Sequence, residues 1–158
     1  NKPNDNNNNK PENKPDNKPS KPNNPTDNDD NLNSSVSSIE QEVVRLVNIE
    51  RQKAGLQPLK LDTELSKVAR LKSEDMKKKG YFSHTSPTYG SPFDMLKQFN
   101  ITYKTAGENI AKGQKTAERV VDAWMNSEGH RRNILSKSFT HIGVGFSSNH
   151  WTQLFISK

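Results

Sequence analysis

His141-Ile142-Gly143-Val144-Gly145-Phe146-Ser147 and His150-Trp151-Thr152-Gln153-Leu154-Phe155-Ile156-Ser157 are separated only by Ser148-Asn149. Both stretches have the length and the β-branched and aromatic content of strands, and the two residues between them suit a tight turn. They predict an antiparallel hairpin. Everything upstream that carries a clear period is helical. Ile39, Val43, Leu46, Val47 and Ala54 line one face over about 37–54, with Ser37 and Glu40 spaced as a capping box and Gly55 as a stop. Leu65, Val68, Ala69 and Met76 do the same over about 63–79, between the N-cap Asp62 and Gly80. A short helix is expected at about 92–99, an extended segment at 103–112, and a further helix from Thr116 to near Gly129, with another turn over His130–Leu135. Helices that precede a hairpin, without alternating βαβ units, predict an α+β fold in which helices cover a small antiparallel sheet.

Composition shifts sharply before the first helix. Residues 1–35 are mostly Asn, Pro, Lys, Asp and Ser, with Leu32 as the one large apolar side chain. Such a segment buries too little apolar surface to offset a backbone entropy of about 1–2 kcal/mol per residue. A disordered leader over 1–35 and one folded domain over 36–158 are therefore expected. The leader carries five Lys against six Asp and Glu, a net charge of −1, so the domain holds +7 of the chain's +6. A basic domain is drawn to anionic surfaces and polymers. Its cations are scattered rather than interleaved with aromatic side chains, which argues against a specific nucleic-acid partner. No apolar run reaches the ~18 residues that span a bilayer. The chain has no Cys, hence no disulfide framework and no thiolate metal site.

The motifs of common enzyme classes are missing: no His-Glu-x-x-His, no Gly-x-Ser-x-Gly, no phosphate-binding loop and no dinucleotide fingerprint. What stands out is a set of His and Glu residues in unusual contexts. His84 lies in a loop, Phe82-Ser83-His84-Thr85-Ser86-Pro87. Glu108 sits among small and apolar neighbours in Ala106-Gly107-Glu108-Asn109-Ile110. Glu128 and His130 flank Gly129, and His150 opens the last strand. Imidazoles and carboxylates together suit a divalent ion such as Zn2+, or general acid–base work near neutral pH. Each residue taken singly fits a hydrogen-bonded structural role as well.

Val43-Val44-Arg45-Leu46-Val47-Asn48-Ile49-Glu50-Arg51 with Ala54-Gly55-Leu56, Phe82 to Pro87, Gly107-Glu108-Asn109-Ile110, Trp124 to Leu135, and Gly143-Val144-Gly145 leading to Trp151-Thr152-Gln153 occur in that order. In these segments, over about 40–157, the chain resembles the bacterial members of the CAP superfamily, which is named for cysteine-rich secretory, antigen 5 and pathogenesis-related proteins. The resemblance implies a three-layer α-β-α sandwich with a central cleft, in a secreted or cell-surface protein associated with the wall of a Gram-positive bacterium. It implies a cleft of two His and two Glu able to take a divalent cation. His84 matches the first His, Glu108 the Glu of the Gly-Glu-Asn motif, and His150, ahead of Trp-Thr-Gln, the second His, so His84 and His150 are the expected metal ligands. The second Glu falls on Ser127; Glu128, one residue on, is turned by about 100° on a helix, and His130 is a third candidate for that corner. The function so implied is a monomeric binding module for a lipid, glycan, peptide or cell-wall component. The alternative is a metal-dependent hydrolase using His84, His150 and Glu108 as its base.

Overall fold

α1, Ser38–Lys53, starts where the sequence places its cap. The Ser37 hydroxyl accepts from Glu40 N while the Glu40 carboxylate accepts from Ser37 N at 2.8 Å. This computed structural model describes residues 36–158, and the leader expected over 1–35 lies outside the described residues. After α1 come β1 (Lys60–Leu61) and α2 (Thr63–Lys79), the latter capped by Asp62 and closed by Gly80 at φ 69°. Then follow α3 (Pro92–Gln98), β2 (Ala106–Lys112), α4 (Ala117–Met125), α5 (Glu128–Ile134), β3 (His141–Ser147) and β4 (His150–Ile156). Ser148 and Asn149 both have positive φ, 48° and 63°, the left-handed pair that a tight two-residue turn between twisted strands needs.

Two features differ from the expectation. The helix from Thr116 ends at Met125, earlier than Gly129. Asn126 Nδ2 donates to Asp122 O, Ser127 is extended, and Gly129 lies inside the separate helix α5. The sheet is also not wholly antiparallel. Its order is β1-β3-β4-β2, with β4 antiparallel to both neighbours and the two-residue β1 parallel to β3. A strand that short leaves no periodic signal in the sequence.

Side chains on the sheet divide into two cores, which gives three layers. Leu154 and Ile156 pack with Leu65, Val68 and Ala69 of α2 and Met95 and Leu96 of α3. Ile142, Val144, Trp151 and Phe155 pack on the other face with α1, α4 and Ile134 of α5. Each fully buried side chain of this kind is worth roughly 1.5–3 kcal/mol. α2 lies directly on β3. A Cβ on Gly145 would fall 2.1 Å from Arg70 N and one on Gly143 2.5 Å from Leu65 C, so only glycine admits the helix at that distance. Beyond β1, the outer edge of β3 is satisfied by side chains. Ser66 Oγ accepts from Val144 N, Ser73 Oγ donates to Gly145 O, and buried Glu40 accepts from Phe146 N at 2.8 Å and from the Arg70 guanidinium. An edge closed this way offers no ladder to another chain.

Candidate functional site: an imidazole pair at the β2 edge

β2 carries Glu108 and Asn109 on opposite faces, as alternation along a strand requires. The Glu108 side chain is only 3% exposed, and its Oε1 lies 2.6 Å from Nδ1 of His84, whose own side chain is 54% exposed. Glu108 thus orients the imidazole and leaves the far edge of the ring open to solvent. The loop that brings His84 there is anchored by Asp75 of α2, which accepts hydrogen bonds from Tyr81 Oη (2.5 Å), Ser86 Oγ (2.6 Å) and Thr88 Oγ1 (2.7 Å). Burial by itself would raise the Asp75 carboxyl, but the Ser86, Tyr81 and Thr88 hydroxyls, with Lys79 nearby, carry it below the usual aspartate value. The Tyr81 phenol is pushed well up, by burial and by its bond to Asp75. Buried Lys72 donates to His84 O at 2.7 Å and lies 5.4 Å over the Tyr81 ring. Burial lowers its ammonium pKa, while Glu108 and Asp75 oppose that shift.

The other face of β2 positions α5. Asn109 Nδ2 donates to His130 O (3.1 Å) and to Gln153 Oε1 (2.9 Å), and Asn133 Nδ2 donates to Asn109 Oδ1 (2.9 Å). This clamp fixes α5, which carries His130, against β2. Burial and the charge of His84 both lower the His130 pKa, which favours the neutral ring. His130 Nδ1 is buried without a hydrogen-bond partner among the described residues.

Of the residues expected to share a cleft, His84 and Glu108 are in contact, His130 sits on the helix that Asn109 clamps, and two lie elsewhere. His150 is buried at the hairpin end of β4 with its Nδ1 2.9 Å from Ser148 O. It pairs with Lys112, whereas Glu108 pairs with Leu154. Four residues of strand, about 13 Å, separate the two positions, so β4 does not bring His150 to the level of Glu108. Glu128 points outward on α5, 77% exposed, 3.1 Å from Arg132. Ser127 is the N-cap of α5 and makes no side-chain capping bond. Asp75 and Lys72 were not singled out in the sequence, and Asn109 and Asn133 stood there only as members of the family motifs. The one available signal was polar: Lys72 and Asp75 interrupt the buried stripe of α2.

A divalent ion was expected here. Among the described residues, no three His, Asp or Glu side chains are grouped closely enough to hold one. Zinc takes three or four protein ligands, and Glu108 is already engaged with His84 Nδ1. The donor set in this conformation does not fit a metal centre, and no step is derived through one. What the arrangement can do is accept and donate hydrogen bonds through the carboxylate-oriented His84 imidazole.

Residues 44–156 match the model of the cysteine-rich secretory protein family, CAP. The Bacillus subtilis protein YkwD is 69% identical over 127 residues, covering 79% of this chain and 49% of YkwD. An extracellular protein of Bacillus anthracis containing an SCP domain superposes with TM-score 0.74 at 40% identity, covering 80% of this chain and 41% of that one. An outer surface protein of Borrelia burgdorferi shares the fold at TM-score 0.68 and 23% identity, over 75% of this chain and 91% of that one. The chain therefore spans about half the length of YkwD, and no helix among the described residues is long and apolar enough to cross a membrane.

Proposed function

The chain belongs to the cysteine-rich secretory protein (CAP) family, and on that premise we propose that it is an extracellular binding module whose site is formed by His84, Glu108 and His130. The observation that carries this reading is the His84–Glu108 contact at 2.6 Å, with about half of the His84 side chain exposed. Unpaired buried polar atoms are scarce in folded proteins, and His130 Nδ1 is one, which supports giving that residue a place in the site. Phe82, two residues before His84 and half exposed, adds an apolar surface to the same loop. Hydrogen-bonding rings next to an exposed aromatic suit a ligand with hydroxyl and amide groups, such as a glycan or peptide of the cell wall. The relative described as extracellular supports the location.

The test is an NMR titration with a soluble disaccharide-peptide fragment of peptidoglycan, following the histidine ring signals. His84 and His130 should shift together while His141 stays in place. His84→Ala and His130→Ala should each weaken binding about tenfold, the worth of roughly one good hydrogen bond at 1.4 kcal/mol. The fragment should be recovered uncleaved, and zinc added alone should leave both rings unshifted. Binding that is unchanged in both variants would refute the site; cleavage of the fragment or tight zinc uptake would favour the hydrolase alternative.

A further inference from the structure

The sheet order β1-β3-β4-β2 puts β1 at the edge opposite the imidazole pair, and a second concavity lies there. A hollow of about 630 Å³ is lined by Arg51, Lys60, Lys137, His141 and Lys158, with Phe139 among its apolar walls, and no Asp or Glu lines it. The cations come from four separate segments: the end of α1, β1, the loop between α5 and β3, and the residues after β4. Among the described residues, only Lys158 of these cations has a carboxylate partner, Asp62 at 3.1 Å. Lys60 and Lys137 make no ion pair among the described residues. Arg51 is buried, and its Nε and Nη1 donate to the carbonyls of Gln57, Ile134 and Ser136, each at 2.8 Å. Its charge is thereby fixed against neutral acceptors. The effect of this gathering is already felt by His141, whose pKa is lowered by burial and by Lys158 and Lys60, against Asp62.

Like charges converging on a concavity repel one another and focus a positive potential outward. An anion relieves that repulsion. The chemistry of the donors narrows its kind. A planar carboxylate is best met by an arginine fork, but two of the nitrogens of Arg51 are committed to carbonyls. Flexible ammonium groups arriving from several directions suit the oxygens of a tetrahedral phosphate. We propose that the hollow at the β1 edge binds phosphate groups, free or on a lipid headgroup, independently of the imidazole pair.

Calorimetric titration with inorganic pyrophosphate and co-sedimentation with phosphatidylglycerol vesicles, against phosphatidylcholine vesicles, distinguish the two sources. Binding to either probe should weaken at least tenfold in Lys60→Ala/Lys137→Ala. It should persist in Lys77→Ala/Lys78→Ala, which removes the same charge from the exposed end of α2, and in His84→Ala. Pyrophosphate binding alone identifies a free phosphate, and vesicle binding alone identifies a headgroup. All four lysines are exposed, so melting temperatures should be unchanged and the affinities directly comparable. No binding of either probe, or equal losses in the two double variants, would overturn the proposal.

Discussion

Removing the Asp75 carboxylate should loosen the loop that carries His84 and, with it, the imidazole pair. Asp75 is buried, and three hydroxyls converge on it at 2.5, 2.6 and 2.7 Å. A hydrogen bond to an ionised group is worth about 1.5–3 kcal/mol, so three sum to a ceiling near 9 kcal/mol. The true loss is smaller. Tyr81 is only half-buried and Thr88 is exposed, and their hydroxyls can turn to water once the carboxylate is gone. About 3 kcal/mol is the expected cost of Asp75→Ala. For a folded domain of ~120 residues, at about 4 °C per kcal/mol, that is a fall in melting temperature of about 12 °C. The pH dependence carries a sign. The folded-state pKa of Asp75 is depressed, so its contribution is complete above the unfolded value of about 3.9 and is lost as the pH falls through the lower folded value. The gap between wild type and Asp75→Ala should thus be constant from neutral pH to about pH 5 and narrow below 4. Scanning calorimetry across that range measures both quantities, and amide exchange over residues 81–90 should accelerate in the variant. A loss under 1 kcal/mol with unchanged exchange would show that the loop is held by something other than Asp75.

Glu40→Ala should cost about 3 kcal/mol, because it removes the buried acceptor of Phe146 N and one partner of the Arg70 guanidinium together; Glu42→Ala, at the exposed pair with Arg45, should leave the denaturant midpoint in place. Gly145→Ala drives a Cβ into the backbone of α2 and should prevent folding or yield insoluble protein, whereas Gly129→Ala, with open space around it inside α5, should stabilise by up to about 1 kcal/mol; soluble, cooperative Gly145→Ala would contradict the packing of α2 on β3. The His130 ring should titrate below the ordinary histidine value, and His84→Ala should move it part of the way back, since burial is the larger cause and the charge of His84 the lesser; an NMR titration that leaves His130 unmoved by that substitution would separate the two rings.

Membership of the CAP family was legible because its motifs are local strings. The helices and hairpin were legible because their periods and caps are local too: Ser37 with Glu40, Asp62, Gly80 and the Ser148-Asn149 turn each act within a few residues. The short β1 was not, since a two-residue strand exists only through its pairing with β3, and the helix end at Met125 falls short of the expected stop near Gly129. His84 and Glu108 were visible as candidates for the same reason the motifs were: each sits in an unusual local context.

Which imidazole joins them was a question of register and packing rather than of sequence. His150 precedes Trp151-Thr152-Gln153 as the expected ligand would, yet the pairing of β2 with β4 holds it four residues from the level of Glu108. The Asn109–Asn133 clamp fixes α5, and His130 with it, against the other face of β2. The basic hollow was equally hidden, because its lysines are dispersed along the chain and meet only at the closed sheet's β1 edge. The sequence alone determined the family, the element types and the individual side chains able to do chemistry, because short-range backbone and capping preferences decide those. The tertiary structure decided which of these side chains face one another, because strand register and helix packing bring together residues far apart in the chain.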